Sequence, residues 1–472
     1  MPSEKTLTET VPVTDWDSDS RNPHNWPTWK RAYHSVLPAV FGLVVTVGSS
    51  IYTSAVDDVK KAFHISDVAA TVPFSLFLLG LGFGPMLAAP LSENFGRTSS
   101  YVISLPIYAL FTLGAGFSHT FGALVACRFL AGIFASPPLV VGAGTIADIW
   151  KPEHRALTTT LFALCPFLGP ALGPVMGGFA VAAKGWRWTQ WIILFWAVFA
   201  YLLVLGMHET YKKIIVARAS KKAGGHFTPP GPSGREAIIL LFQVTLIRPI
   251  KMLYSEPIVI AWSLYIGFTF AVLYSFFAAF PYVYATVYGF DIQQIGLTFI
   301  PVAIGTVLGS ITFIWIDQTI YQKRNAQWTA QGGTGRLPPE QRLYASMIGG
   351  CGLPIGLFWF AWTARPDIHW ISPMIATVVI GWGNMCITMS GLLYLLDVYD
   401  ALTGASAVAA ASLLRYVLAA AFPLFVNPMY RNLGVGWATS VFAFISVALT
   451  PIPWVFYRWG LRLRSSSKVM AS

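Results

Sequence analysis

Arg128 and Arg415 each stand inside a long apolar run, in RFLAGIFASP and SLLRYVLAAAF. At the centre of a lipid-embedded helix a fixed charge costs about 2.5–3.5 kcal/mol, so each is a candidate for function. Arg128 has a plainer reading as a side chain that snorkels to the nearer interface. Arg415, next to Tyr416, is read either as bonding backbone carbonyls or as meeting an anionic group of a ligand. Proton-moving chemistry needs a group that titrates. Asp148 follows Arg128 by 20 residues, about 30 Å along a helix, so the two cannot pair within one helix. None of the 20 carboxylates falls deep inside an apolar run.

A second pattern concerns backbone packing. LGPALGPVMGG, residues 168 to 178, spaces Gly169, Gly173 and Gly177 four apart and follows the last with Gly178. Glycines at that spacing line one helix face and let a neighbouring backbone approach, while Pro170 and Pro174 remove N–H donors and bend the helix. In APLSENFGR, residues 89 to 97, Gly96 permits a tight turn. Glu93 and Arg97 then pair with each other or meet helix ends of another bundle. The run YIGFTFAVLYSFFAAFPYVY offers Tyr265, Tyr274, Phe276, Phe277, Phe280 and Tyr282 as ring faces. Rings of this kind equally fill lipid-facing surfaces. Asn384, in GWGNMC, is read as a polar contact for a ligand or as an interhelical hydrogen bond.

The elements that must carry these residues follow from composition. Apolar residues make up 55% of the 472 and charged residues 11%, against about 25% charged in soluble domains. Twelve apolar runs, from 33–55 to 435–457, reach the roughly 20 residues that cross a bilayer. Of 31 Lys and Arg, 23 fall on alternate connecting segments, the tails included. That bias explains the net charge of +11 without nucleic acid and places both termini in the cytoplasm. The division predicted is a tail over 1–32, a six-helix bundle over 33–207, a cytoplasmic linker over 208–256, a second bundle over 257–457 and a tail over 458–472. The fold class is all-α and polytopic, with twelve transmembrane helices in two pseudo-symmetric bundles. The polar opening residues predict no removable signal. All four cysteines fall inside predicted helices, which argues against disulfides, and no metal spacing is present. No HExxH, Walker loop or nucleophile elbow suggests an enzyme, and no cofactor is expected.

Several segments together carry a resemblance. NPHNWPTWKR (22–31), APLSENFGR (89–97), RFLAGIFASP (128–137), GPALGPVMGG (169–178), FPLFVNPMYRNLGVGWATS (422–440) and PIPWVFYRWG (451–460) are similar to motifs of the major facilitator superfamily. Within it the chain resembles the fungal twelve-span drug:proton antiporters, in the subgroup with azole and benomyl exporters. The resemblance implies Arg128 and Asp148 in proton coupling, and Glu93, Gly96, Arg97 and Arg155 at an inner gate. It makes Gly169, Pro170, Gly173, Pro174, Gly177 and Gly178 the antiporter motif; the residue types read above make Tyr265, Tyr274, Phe277, Asn384 and Arg415 the candidates for substrate. The function implied is export of small amphipathic or cationic molecules by proton antiport. A narrow exporter of a polyamine or an organic acid, or an uncoupled facilitator, is the alternative. The protein is expected as a monomer in the plasma membrane, the vacuolar membrane being the other location, with a small-molecule substrate, protons and membrane lipid as its partners.

Overall fold

The computed structural model describes residues 16–222, 243–332, 337–399 and 401–465. They fold into α-helices with no strand among them. The first half contains α1 (Thr28–Ser50), α2 (Val56–Phe63), α3 (Asp67–Phe95), α4 (Arg97–Gly116), α5 (Phe121–Ala135), α6 (Pro137–Ile149), α7 (Pro152–Lys184) and α8 (Arg187–Val204). Then come the short α9 (Lys212–Lys222) and α10 (Arg248–Ser255). The second half contains α11 (Pro257–Tyr288), α12 (Ile292–Leu297), α13 (Ile300–Ile316), α14 (Gln322–Ala330), α15 (Tyr344–Thr363), α16 (Ile371–Val398), α17 (Ala401–Leu449) and α18 (Ile452–Ser465).

Local chemistry fixes the ends. Ser66 accepts from the Ala69 N–H to start α3, and Thr120 does the same for α5 through Ala123. Asp291 and Gln294 form a reciprocal capping box at α12. Pro137 and Pro138 begin α6 at a break after Ser136, so α5 and α6 make one interrupted crossing. Gly96, at φ 100°, turns the chain between α3 and α4 in a conformation that side chains resist.

Eleven apolar helical stretches among the described residues are long enough to cross a bilayer. The last, Thr403–Ser465, crosses twice. Gly434 (φ 74°, ψ 162°) breaks it, and Phe422 stacks on Phe442 with centroids 5.5 Å apart. Twenty helical residues laid straight would separate them by about 30 Å, so the chain doubles back and the crossings number twelve. The first crossing is longer than the apolar run suggests, because a 3-10 turn over Ile51–Ala55 joins α1 to α2 and carries helix to Phe63. Within the segment between the halves, α9 and α10 are helical; the Gly/Pro-rich stretch 224–234 lies outside the described residues.

Each half is a six-helix bundle. In the first α7 packs along α1, and in the second α17 packs along α11. Both termini and the connection between halves share one face, called here the terminal face: His24 reaches the Ile149 carbonyl, Tyr33 the Leu203 carbonyl and Arg464 the carboxylate of Glu340. The bundles meet through α7 against α12 and α13, and through α3 against α17. Large side chains such as Leu110, Phe195, Leu202, Trp315, Ile355 and Phe444 remain exposed around the outside. In water such surface would be a liability; in a bilayer it is the solvent contact.

Candidate functional site

Arg128 sits on α5 at 1% exposure. It does not snorkel. Its guanidinium donates to the carbonyls of Gly48 (3.0 Å) and Ser49 (3.3 Å) in the last turn of α1. It lies over the rings of Phe77 (4.4 Å) and Tyr52 (5.2 Å). The carbonyls at a helix C-terminus carry the negative end of its dipole, so α1 offers this cation a neutral partner where no carboxylate stands. Arg128 Nε is buried with no partner in the structure.

The antiporter stretch lies against the same helix. A Cβ on Gly169 would come 2.8 Å from Val47 N, one on Gly173 2.7 Å from Ile51 N, and one on Gly177 2.7 Å from Ile51 O. Only hydrogen fits at these three positions. Ser50 donates to the Gly169 carbonyl (3.2 Å) and Ser54 to that of Pro174 (3.3 Å). The remaining glycine faces elsewhere: a Cβ on Gly178 would lie 2.7 Å from Ile292 O in the other bundle. A Cβ on Gly296 of α12 would meet the Pro174 carbonyl at 2.5 Å. Thus α7 carries one seam within its bundle and a second between bundles, and it stays helical through Pro166, Pro170 and Pro174.

At the terminal face Arg97 Nε pairs with Asp148 Oδ2 at 3.1 Å. Its Nη1 donates to Ser92 Oγ (2.9 Å), its plane lies 4.7 Å over Tyr211, and its backbone N–H donates to Glu209 Oε1 (2.9 Å). Asp148 and Ser92 belong to the first half, while Glu209 and Tyr211 come from the start of the segment that connects the halves. Glu93, next to Ser92, is exposed; Glu209 stands where sequence reasoning put Glu93. The Arg155 side chain lies outside the described residues. Asp148 and Arg128 belong to separate clusters near opposite ends of the α5–α6 crossing.

The second half repeats the arrangement. Arg342 pairs with Asp317 (2.5 Å) and Asp397 (2.9 Å) and lies 3.5 Å over Tyr321. Burial works against its charge, but attraction from Asp397, Tyr321 and Asp317 outweighs it and holds the guanidinium above its ordinary value. Arg97 precedes Asp148 by 51 residues and Arg342 precedes Asp397 by 55. The two separations are similar but not equal, so spacing alone did not mark Arg342 and Asp397, and Glu209 had no signal either.

Between the bundles, at the face opposite the termini, lies a cavity of about 280 Å³. Thr53, Asp57, Thr71 and Phe74 line it from the first half, and Phe277, Phe290, Phe299 and Asn427 from the second. Rings continue inward from it. Phe299 stacks on Phe277 (5.2 Å), Phe277 meets Tyr274 (5.2 Å), and Tyr274 meets Phe270 (4.5 Å). Phe74 closes on Tyr274 and Phe277 across the boundary, and Phe167 on Phe270. At the inner end the Arg415 guanidinium lies 4.8 Å from the Phe270 ring and 4.9 Å from that of Tyr416. Sequence reasoning named Tyr274, Phe277 and Arg415 but passed over Phe270. Tyr265 turns away into the second bundle, against Trp262 and Gly350. Asn384 is buried at 2% exposure on α16, and its Nδ2 has no partner in the structure.

The sequence profile of the Major Facilitator Superfamily matches residues 39–423. The chain belongs to the major facilitator superfamily. Within that superfamily it is 40% identical to Polyamine transporter 4 of Saccharomyces cerevisiae, over 96% of this chain and 72% of that one. It is 36% identical to Efflux pump FUBT of Fusarium oxysporum, over 100% of this chain and 79% of that one. Among solved structures, the proton:xylose symporter XylE aligns with a TM-score of 0.67 at 16% identity, covering 92% of this chain and 97% of that one. At that identity the likeness establishes the twelve-helix architecture. The protein is therefore an integral membrane transporter of small molecules and not an enzyme.

Proposed function

We propose that this transporter exports small amphipathic molecules by proton antiport, the two bundles rocking about the interface built by α7, α12, α13, α3 and α17. On this reading the terminal face is cytoplasmic, the membrane is the plasma membrane and the monomer is the working unit. The observation that carries it is Arg128, a buried charge held by the carbonyls that end α1 and by two ring faces, with no carboxylate paired to it, against the helix that α7 grips through glycine. Arg97 with Asp148, and Arg342 with Asp317 and Asp397, brace the cytoplasmic ends of the two bundles. The cavity between the bundles is the outer part of the substrate path. Similarity to an efflux pump supports export.

The test is dye efflux from cells expressing the chain, with one planar cationic and one planar anionic dye, with and without a proton uncoupler, beside Arg128→Ala. Antiport requires efflux that the uncoupler abolishes and that the variant lacks while still reaching the membrane. Efflux that persists after the proton gradient is collapsed rejects it. A second reading, export of a polyamine, draws on the 40% identity to Polyamine transporter 4.

A further inference from the structure

We propose that Arg415 is the recognition site for an acidic group on a planar aromatic substrate, so that the molecule exported is an aromatic carboxylate or an equally acidic aromatic compound, not a polyamine or other cation. The proposal rests on the exporter reading above and names its substrate class. Arg415 stands about 14 residues into α17, whose first arm runs from Ala401 to the break at Gly434, and so lies near mid-depth. Its side chain is only partly buried, its Nε is buried without a partner, and no carboxylate among the described residues forms an ion pair with it. Arg128 shares the unpartnered Nε and the lack of a carboxylate but differs in access: it is sealed at 1% exposure, and two carbonyls take its terminal N–H groups.

A guanidinium stacked on rings keeps its N–H edge free, and that edge matches a carboxylate in two parallel hydrogen bonds. Phe270, Tyr274 and Phe277 follow at spacings of four and three on one face of α11. They form a continuous ladder from Arg415 to the outer cavity. An aromatic ring can move along such a ladder while its acidic group engages the cation at the inner end. A polyamine would find the reverse of what it needs. The carboxylates of the described residues gather at the two faces: Asp17, Asp19, Glu93, Asp148, Glu209, Glu256, Asp317, Glu340 and Asp397 at one, Asp57, Asp58, Asp67, Asp291 and Asp367 at the other. None stands at mid-depth, where the fixed charge is Arg415; Arg128 lies nearer the face opposite the termini.

Three probes sharing one ring system isolate the charge: 2-naphthoate, 2-naphthamide and 2-naphthylmethylammonium. Their binding to the purified full chain is measured at fixed pH with no proton gradient. A charge-assisted pair should favour naphthoate over the amide by about tenfold or more. Arg415→Gln should bring the two to parity with the amide's own affinity and the melting temperature unchanged, and Arg415→Lys should keep part of the preference. Tighter binding of the ammonium, no binding of naphthoate, or a preference that survives Arg415→Gln overturns the proposal. Because no gradient is present, this outcome is independent of whether transport proves to be proton-coupled; failure of the dye-efflux test leaves the charge preference to be read on its own.

Discussion

Arg128 and Arg342 show two ways of holding a cation away from water. Arg128 takes helix-terminal carbonyls and ring faces, which neutralise nothing and satisfy its donors only in part, Nε being left without a partner. Arg342 takes two carboxylates and a ring. Removing a partner from such a buried cluster costs about 3–5 kcal/mol, since like charges are then left facing each other in a medium that screens them poorly. Arg342→Gln exposes Asp317 and Asp397 to one another in this way. A fall in the melting temperature of the purified protein, partly reversed by adding Asp317→Asn, is the expected result; an unchanged melting temperature would show that water already screens the cluster. Arg128 was legible in the sequence through its apolar neighbours, whereas Arg342, in the polar segment PPEQR, was not singled out. Nor was Glu209, because a carboxylate in a polar segment carries no local mark of the partner it finds across 112 residues.

At the scale of the helix, α7 separates two duties by position. Gly169, Gly173 and Gly177 face α1 and serve cohesion, whereas Gly178 faces α12 and serves contact between moving bodies. The two should fail differently. Gly173→Val drives a side chain into Ser50 and Ile51 within one bundle, and overpacking of that kind costs about 1–3 kcal/mol or more, read as lower yield and a lower melting temperature. Gly178→Val meets Ile292 across the boundary, so the fold should stand while the outer side opens, read as faster labelling of a Phe277→Cys variant by a membrane-impermeant thiol reagent. Equal losses of stability in both would refute the division. The seam itself was legible, since no other residue packs at those three positions. Which face of α11 meets the cavity was not. That helix is buried nearly all round, so its apolar pattern has no phase, and Tyr265 could be told from Phe270 only by the packing of the second bundle. The doubling back at Gly434 was legible as two apolar runs, though the helix carries no other interruption there.

For the whole molecule, the charges divide by depth. Ion pairs crowd the two faces, including Asp67 with Arg431 across the bundles on the side opposite the termini, while the middle holds positive charge alone. The membrane potential acts on that middle. When the bundles rock, Arg415 hardly moves, but its aqueous access changes from one side to the other, and with it the voltage that the charge experiences. One elementary charge carried so across 100 mV corresponds to about 2.3 kcal/mol. On the exporter reading proposed above, an interior negative potential therefore draws the substrate-free, proton-loaded carrier back toward its inward-facing form. A bound monoanion cancels the charge and leaves the export step indifferent to voltage. In a reconstituted bilayer, voltage steps should evoke transient charge movement from the empty protein, suppressed by saturating 2-naphthoate and diminished in Arg415→Gln. The unpaired arginine would thus time the return stroke as well as choose the passenger.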